Sequence, residues 1–201
     1  MSKKINNLFS FKFLIILFFL ILILVISIFN IKGNSHSHDF HIHADFLVSL
    51  NGEIYNFTNQ KYMSDGVHLN HEYVHLHDNN PFVIHYHKEN ITLGSFFHSL
   101  NMNLTNDSFS TLNKTYTTNQ THIFEVYVNQ ELIENPQNYV ANDLDRILIV
   151  YYQQNISITH LFDQVTNLSC IYSLKCPERG EPPESSCLTG STCAVDIEWL
   201  V

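Results

Sequence analysis

Cationic side chains are scarce in this chain: Lys and Arg number 10 of 201 residues against 19 Asp and Glu, and the formal charge is −9. Holding nucleic-acid phosphates calls for a basic face, so that class of partner is excluded. Cysteine is equally rare. All four, Cys170, Cys176, Cys187 and Cys193, fall in the last 32 residues. Their spacing, C-x5-C-x10-C-x5-C, lacks the C-x-x-C pair that thiol exchange wants and the C-x2–4-C pairs of structural zinc sites. An even count in a Pro/Gly/Ser-rich segment reads instead as two disulfides, with three connectivities open. Beyond residue 31 no long apolar run follows.

What the chain does have is histidine, 13 in all. Four His-x-His pairs, at 36/38, 41/43, 75/77 and 85/87, stand where chance placement gives about one. Residues 72 to 88, from Glu72 to Lys88, hold two of them in short runs that alternate polar and apolar residues. Alternation of period two marks half-buried strands, and Asp78-Asn79-Asn80-Pro81 between the runs marks a hairpin. A two-residue loop at Asn79-Asn80 would set His77 opposite Phe82 and drive imidazoles into the core. A loop of three or five residues sets His75 and His77 opposite His85 or close to it, with Val74, Leu76, Ile84 and Tyr86 buried together. The odd-length loop is expected, with opposing Cβ atoms about 4.5–5.5 Å apart.

That arrangement is chemically directive. Neutral imidazole is the commonest zinc ligand and suits copper and nickel. The expected metal ligands are His75, His77, His85 and His87, with His41 and His43 next, His68 and His71 as movable extras, and Asp45 or Asp78 as carboxylates. Zinc or copper is the expected ion; the lack of Cys or Met near the cluster disfavours Cu(I). Imidazoles packed this closely would repel one another if protonated, which sets this reading above a solvated, pH-sensitive surface patch. A zinc-dependent hydratase or hydrolase at the same cluster is the first alternative, with Glu72 as general base and metal-bound water as nucleophile. A thiol–disulfide oxidoreductase using the C-terminal cysteines is the second, and an adhesion or interaction module the third. Activity as an enzyme is not the first expectation.

The N-terminus reads as an anchor. Residues 13–31 are almost wholly apolar and uncharged, about the 20 residues a transmembrane helix needs, and Lys3, Lys4 and Lys12 precede them. The expected layout is a cytoplasmic segment 1–12, a signal-anchor at 13–31 in the lipid bilayer, and a polar stalk at 32–40. A His-rich α+β domain at 41–155 and a Cys-containing tail at 156–201 follow, with residues 34–201 extracytoplasmic. A cleaved signal peptide is the alternative. Eight Asn-x-Ser/Thr triplets, from Asn56 to Asn167, permit glycosylation there.

Within the domain, Asn51-Gly52 is a two-residue hairpin turn that pairs Val48 with Tyr55 and Phe46 with Phe57. Thr92 reads as the N-cap of a helix whose Leu93, Phe96, Phe97 and Leu100 form one apolar stripe. Asn101 to Gln120 reads as loop, His122 to Val128 and Arg146 to Tyr152 as strands, and Asn155 to Thr166 as a short helix. The succession from Thr92 through Phe-Glu-Val-Tyr-Val-Asn-Gln to Asp-Leu-Asp-Arg-Ile-Leu-Ile-Val-Tyr resembles the β-grasp domains of the ubiquitin-like and cobalamin-carrier C-terminal type. This resemblance covers 92–152 and implies a helix crossing a mixed sheet. With HxHADF, HLHD, IHxH, TLGxFF and DLDRILI, the whole layout is also similar to small His-rich, membrane-anchored archaeal proteins of uncharacterised function, some of which bear the name protein disulfide isomerase. The fold class expected is therefore α+β: an N-terminal transmembrane helix, a β-grasp-like mixed-sheet domain with a His-rich hairpin, and a disulfide-rich tail.

Overall fold

The computed structural model describes residues 13, 16–18, 20–22, 40–64 and 73–183. Among them no helix is long and apolar enough to cross a membrane, so the expected transmembrane helix is corrected. The described parts of 13–31 are helical with exposed apolar side chains, but too short for a span of about 20 residues. The remainder of that stretch lies outside the described residues. The single-pass placement, with 34–201 extracytoplasmic, loses its support with the helix.

The α+β domain stands. Its main sheet runs β3 (Val74–His75), β4 (Val83–Tyr86), β1 (Ile42–Leu50), β10 (Arg146–Gln153), β8 (His122–Val128) and β9 (Glu131–Leu132), with β2 (Glu53–Ile54) also on β1. The two central strands, β1 and β10, are parallel, and the other pairings are antiparallel. Both central strands are rich in Val, Ile and Leu because each of their faces is covered. The first hairpin keeps its expected register: Tyr55 N donates to Val48 O at 2.8 Å, and Phe46 meets Phe57 at a ring separation of 5.1 Å. Positive φ at Asn51 (59°) and Gly52 (83°) gives the mirror-image turn whose twist suits a two-residue hairpin.

One face of the sheet is covered by α1 (Leu93–Ser99). Thr92 caps it, its Oγ1 accepting from Ser95 N at 3.1 Å, and the Leu93, Phe96, Phe97 and Leu100 stripe is buried. Phe96 packs edge-on against Phe46 at 5.4 Å. Each such fully buried side chain contributes about 1.5–3 kcal/mol. The stretch read as a loop, Asn101 to Gln120, is instead a small antiparallel meander of β5 (Asn103–Leu104), β6 (Ser108–Ser110) and β7 (Thr115–Thr117). Its strands are two or three residues long and Leu104 and Phe109 are their buried residues, too few for a periodic pattern.

The other face has a cover that the alternation did not announce. Chain expected as a tail returns across the sheet as α2 (Thr159–Gln164) and α3 (Ser169–Tyr172). Leu161 and Val165 pack on Leu47, Leu148 and Val150 to form a second, smaller core. Two charged neighbours in the β1–β10 register hold this cover. Arg146 donates to the carbonyls of Phe162 (3.0 Å), Thr166 (3.0 Å) and Val165, which the end of α2 leaves without helical partners. Asp45, fully buried, accepts from Leu168 N (2.7 Å), Ser169 N (3.0 Å) and the Thr166 hydroxyl at the start of α3. Cys170 and Cys176 then form a disulfide with Cα atoms 5.5 Å apart, closing the segment directly after α3. Cys187 and Cys193 lie outside the described residues.

Candidate metal centre

The His-rich hairpin forms in the register of an odd-length connection, with His75 directly opposite His85 and Val74 opposite Tyr86. Positive φ at Asp78 (57°) and Asn79 (55°) makes the turn, and short Asx side chains tolerate that region. On its other side β4 pairs with β1, setting His43 opposite His85 and Ile42 opposite Tyr86. The same register puts His41 level with His87. Residues level across neighbouring strands project to one face. Three strands therefore present one grid: His87 and His41 in one row, His75, His85 and His43 in the next, and His77 at the corner beyond His75.

Two sets of three follow from this grid. The ligand nitrogens of His41, His43 and His85 lie within 4.8 Å of one another, as do those of His75, His77 and His87, so each triad could hold a metal ion. The sets abut. Across them His77 and His85 have ring centroids 3.6 Å apart, and His41 stacks on His87 at 4.3 Å. His41 and His43, named after the hairpin histidines as expected ligands, lie inside the same grid.

These imidazoles are not on a solvated face. His75 and His85 are 0% exposed, His43 2% and His77 3%, while His41 and His87 form a half-buried edge. The lid is α3 and the residue after it. Tyr172 sets its ring perpendicular to that of His85 at 4.8 Å, with its hydroxyl accepting from Asn80 Nδ2 at 3.1 Å. Ser173 Oγ lies 2.7 Å from His43 Nδ1 and donates to Asp143 Oδ1 at 2.5 Å. A hydroxyl has one proton, so Ser173 must accept from His43 Nδ1–H. That leaves a lone pair on His43 Nε2, which faces His41 Nε2 at 3.2 Å. A second carboxylate, Asp78 Oδ2, stands 2.7 Å from His77 Nδ1, near enough for an ion pair though not aligned as a hydrogen bond.

Burial favours the neutral form of four of these rings. It is the largest cause of lowering at His43, to about 2, and at His87, to about 3, with neighbouring imidazoles adding to it. His85 is held well below its ordinary value and His41 is lowered, both chiefly by burial. Neutral imidazole is the form that ligates metals. Several ring nitrogens here have no hydrogen-bond partner: both of His85, Nε2 of His77 and Nε2 of His87. Leaving a buried polar atom unpaired costs about 1–3 kcal/mol. Two nitrogens bound to one tetrahedral ion at about 2.0–2.1 Å would stand about 3.3–3.4 Å apart, close to the separation of His41 and His43.

Asp45 does not join the site, because its carboxylate is taken up by Thr166, Leu168 and Ser169. His68, His71 and Glu72 lie outside the described residues. His122 stacks on Tyr151 at 5.1 Å, away from the grid. Tyr172, Ser173 and Asp143 were not among the expected site residues. Ser173 is 130 residues from the imidazole it meets, and no local pattern marks it. Ser173 is also the middle member of its hydrogen-bonded row with its proton directed to Asp143, so the row is not a Ser-His-Asp nucleophile. Comparison with family models, with curated proteins and with solved structures finds no match to this chain.

Proposed function

We propose that this protein binds a transition-metal ion, zinc or copper, through the buried imidazoles of β1, β3 and β4. One observation carries the reading: His85 is wholly buried with both ring nitrogens unpartnered, at the centre of a grid of five other histidines. A fold that removes such a group from water without satisfying it gains only if something else binds there. An ion coordinated by imidazole supplies that partner. Ser173 and Asp143 support the reading, since an outer hydrogen bond to the second ring nitrogen orients a ligating histidine and fixes its tautomer. The parallel central pair and the helix crossing one face support the β-grasp resemblance as a proposal for the scaffold. Capture or delivery of the ion follows from affinity alone and needs no chemical step.

The test is elemental analysis of the full chain after loading with zinc(II) or copper(II) and dialysis against a weak chelator. Wild type is expected to retain the ion, and the double variant His77→Ala/His85→Ala, which removes a ligand from each triad, to lose most of it. Equal metal in both would overturn the assignment.

A further inference from the structure

We propose that the six histidines form one binuclear copper centre, with an ion in each three-imidazole set, that binds dioxygen between the two ions. The inference rests on the metal-binding reading above and adds to it the number of ions, their oxidation state and a ligand.

Stoichiometry comes from the grid. Each triad offers three nitrogens mutually within 4.8 Å, and the two triads share no residue. They touch through His77 with His85 at 3.6 Å and His41 with His87 at 4.3 Å, and no other side chain separates these rings. Two ions so placed are neighbours, each with three imidazoles and an unfilled position.

Oxidation state comes from charge. Imidazole ligands bring no negative charge, and the site lies under α3 with four of its six rings almost wholly buried. Two divalent ions would put four positive charges into that environment, which is costly. Two Cu(I) ions put in two. Each is then matched by one carboxylate at the edge of its own triad: Asp143, reached from His43 through Ser173, and Asp78 beside His77. Imidazole suits copper. The missing sulfur that disfavoured Cu(I) in the sequence is outweighed by this balance of charge.

The ligand comes from access. Tyr172 and Ser173 close the site from above, and the half-buried His41 and His87 are its open edge. A small neutral molecule can pass there, whereas a large or charged substrate would lose its water without replacement. Dioxygen fits that description and matches the electrons available. Each Cu(I) gives up one electron to become Cu(II), O2 accepts both to become a bridging peroxide, and the O–O bond stays intact. No proton is taken up, and release reverses the transfer.

The experiment loads the full chain with a cuprous salt under nitrogen, removes excess copper, counts copper per chain, and then admits air. Two coppers per chain are expected, with a peroxide-to-copper charge-transfer band that disappears on evacuation. Electron paramagnetic resonance is expected to show almost none of that copper, because two coupled Cu(II) ions cancel. His77→Ala, in the second triad, should retain one copper, give no band and show a full mononuclear signal after oxidation. His122→Ala, outside the grid, should behave as wild type. One copper per wild-type chain, or two that give a full Cu(II) signal without a band, would overturn the binuclear inference and leave metal binding standing. No retained copper or zinc in wild type would overturn both.

Discussion

His41 and His43 hold their Nε2 atoms 3.2 Å apart on either side of Ile42, where β1 begins, and the hydrogen bond from His43 Nδ1 to Ser173 leaves an unprotonated nitrogen in that gap. Successive same-face residues of a strand do not ordinarily turn like groups toward each other. Here Ser173 and Asp143 hold one ring from outside, and the second ring meets it at nearly the distance a shared ion would impose.

The first consequence concerns His85. Its two unpartnered nitrogens make it a burden on the metal-free fold and an asset to the loaded one. His85→Leu is therefore expected to leave the metal-free protein as stable as wild type or up to about 2 kcal/mol more stable. The same variant should lose about half or more of the stabilisation that added metal gives. Thermal unfolding with and without ion checks both halves.

Acid should destabilise the metal-free protein, and the sign follows from linkage. Burial lowers His43 to about 2 and His85 well below the ordinary 6.5, so both stay neutral when folded and take up protons when unfolded. Their contribution is whole above pH 6.5 and is lost as pH falls from there toward the folded values. At pH 5 the loss is about 2 kcal/mol for each fully neutral histidine. Urea midpoints of metal-free protein at pH 7.5 and pH 5 should fall accordingly, and bound metal should reduce the fall.

Asp45 anchors the lid without touching the ion. Asp45→Ala removes an acceptor from Leu168 N, Ser169 N and the Thr166 hydroxyl together, and is expected to cost about 3 kcal/mol. Because α3 carries Tyr172 and leads into Ser173, the variant should hold metal more weakly at unchanged stoichiometry. Denaturant unfolding and a chelator competition separate the two effects.

The helix on the opposite face offers a test of the scaffold. A Cβ on Gly94 would stand 2.6 Å from the backbone oxygen of Gln137, which cannot swing away. Gly94→Ala is expected to destabilise by about 1–3 kcal/mol, although alanine is the better helix former. Unfolding midpoints at constant slope would report it.

How much of this was legible in the sequence varies with the range of the interaction. Alternation in the two runs placed His75 and His85 on one face, and the argument against burying imidazoles beside Phe82 chose the odd-length loop. The apolar stripe of α1 and the Asn51-Gly52 turn are equally local, and both formed as read. The β1–β4 pairing that brings His41 and His43 into the grid joins segments far apart in the chain, and nothing in either segment names its partner. The lid was harder still. Tyr172 and Ser173 belong to a four-residue helix and its end, too short for periodicity, so nothing in the sequence announced a cover over the histidine face. The meander over 103–117 was hidden for the same reason. Of the three cysteine connectivities, the Cys170–Cys176 bridge excludes the two that would pair Cys170 elsewhere.

X-ray absorption at the metal edge of the loaded full chain tests the central claim most directly, because it reads the atoms around the ion. The account expects a first shell of about three nitrogens near 2.0 Å with the outer scattering pattern of imidazole rings. A shell of five or six oxygens without that pattern, or one unaltered in His77→Ala/His85→Ala, which removes a ligand from each triad, would contradict it.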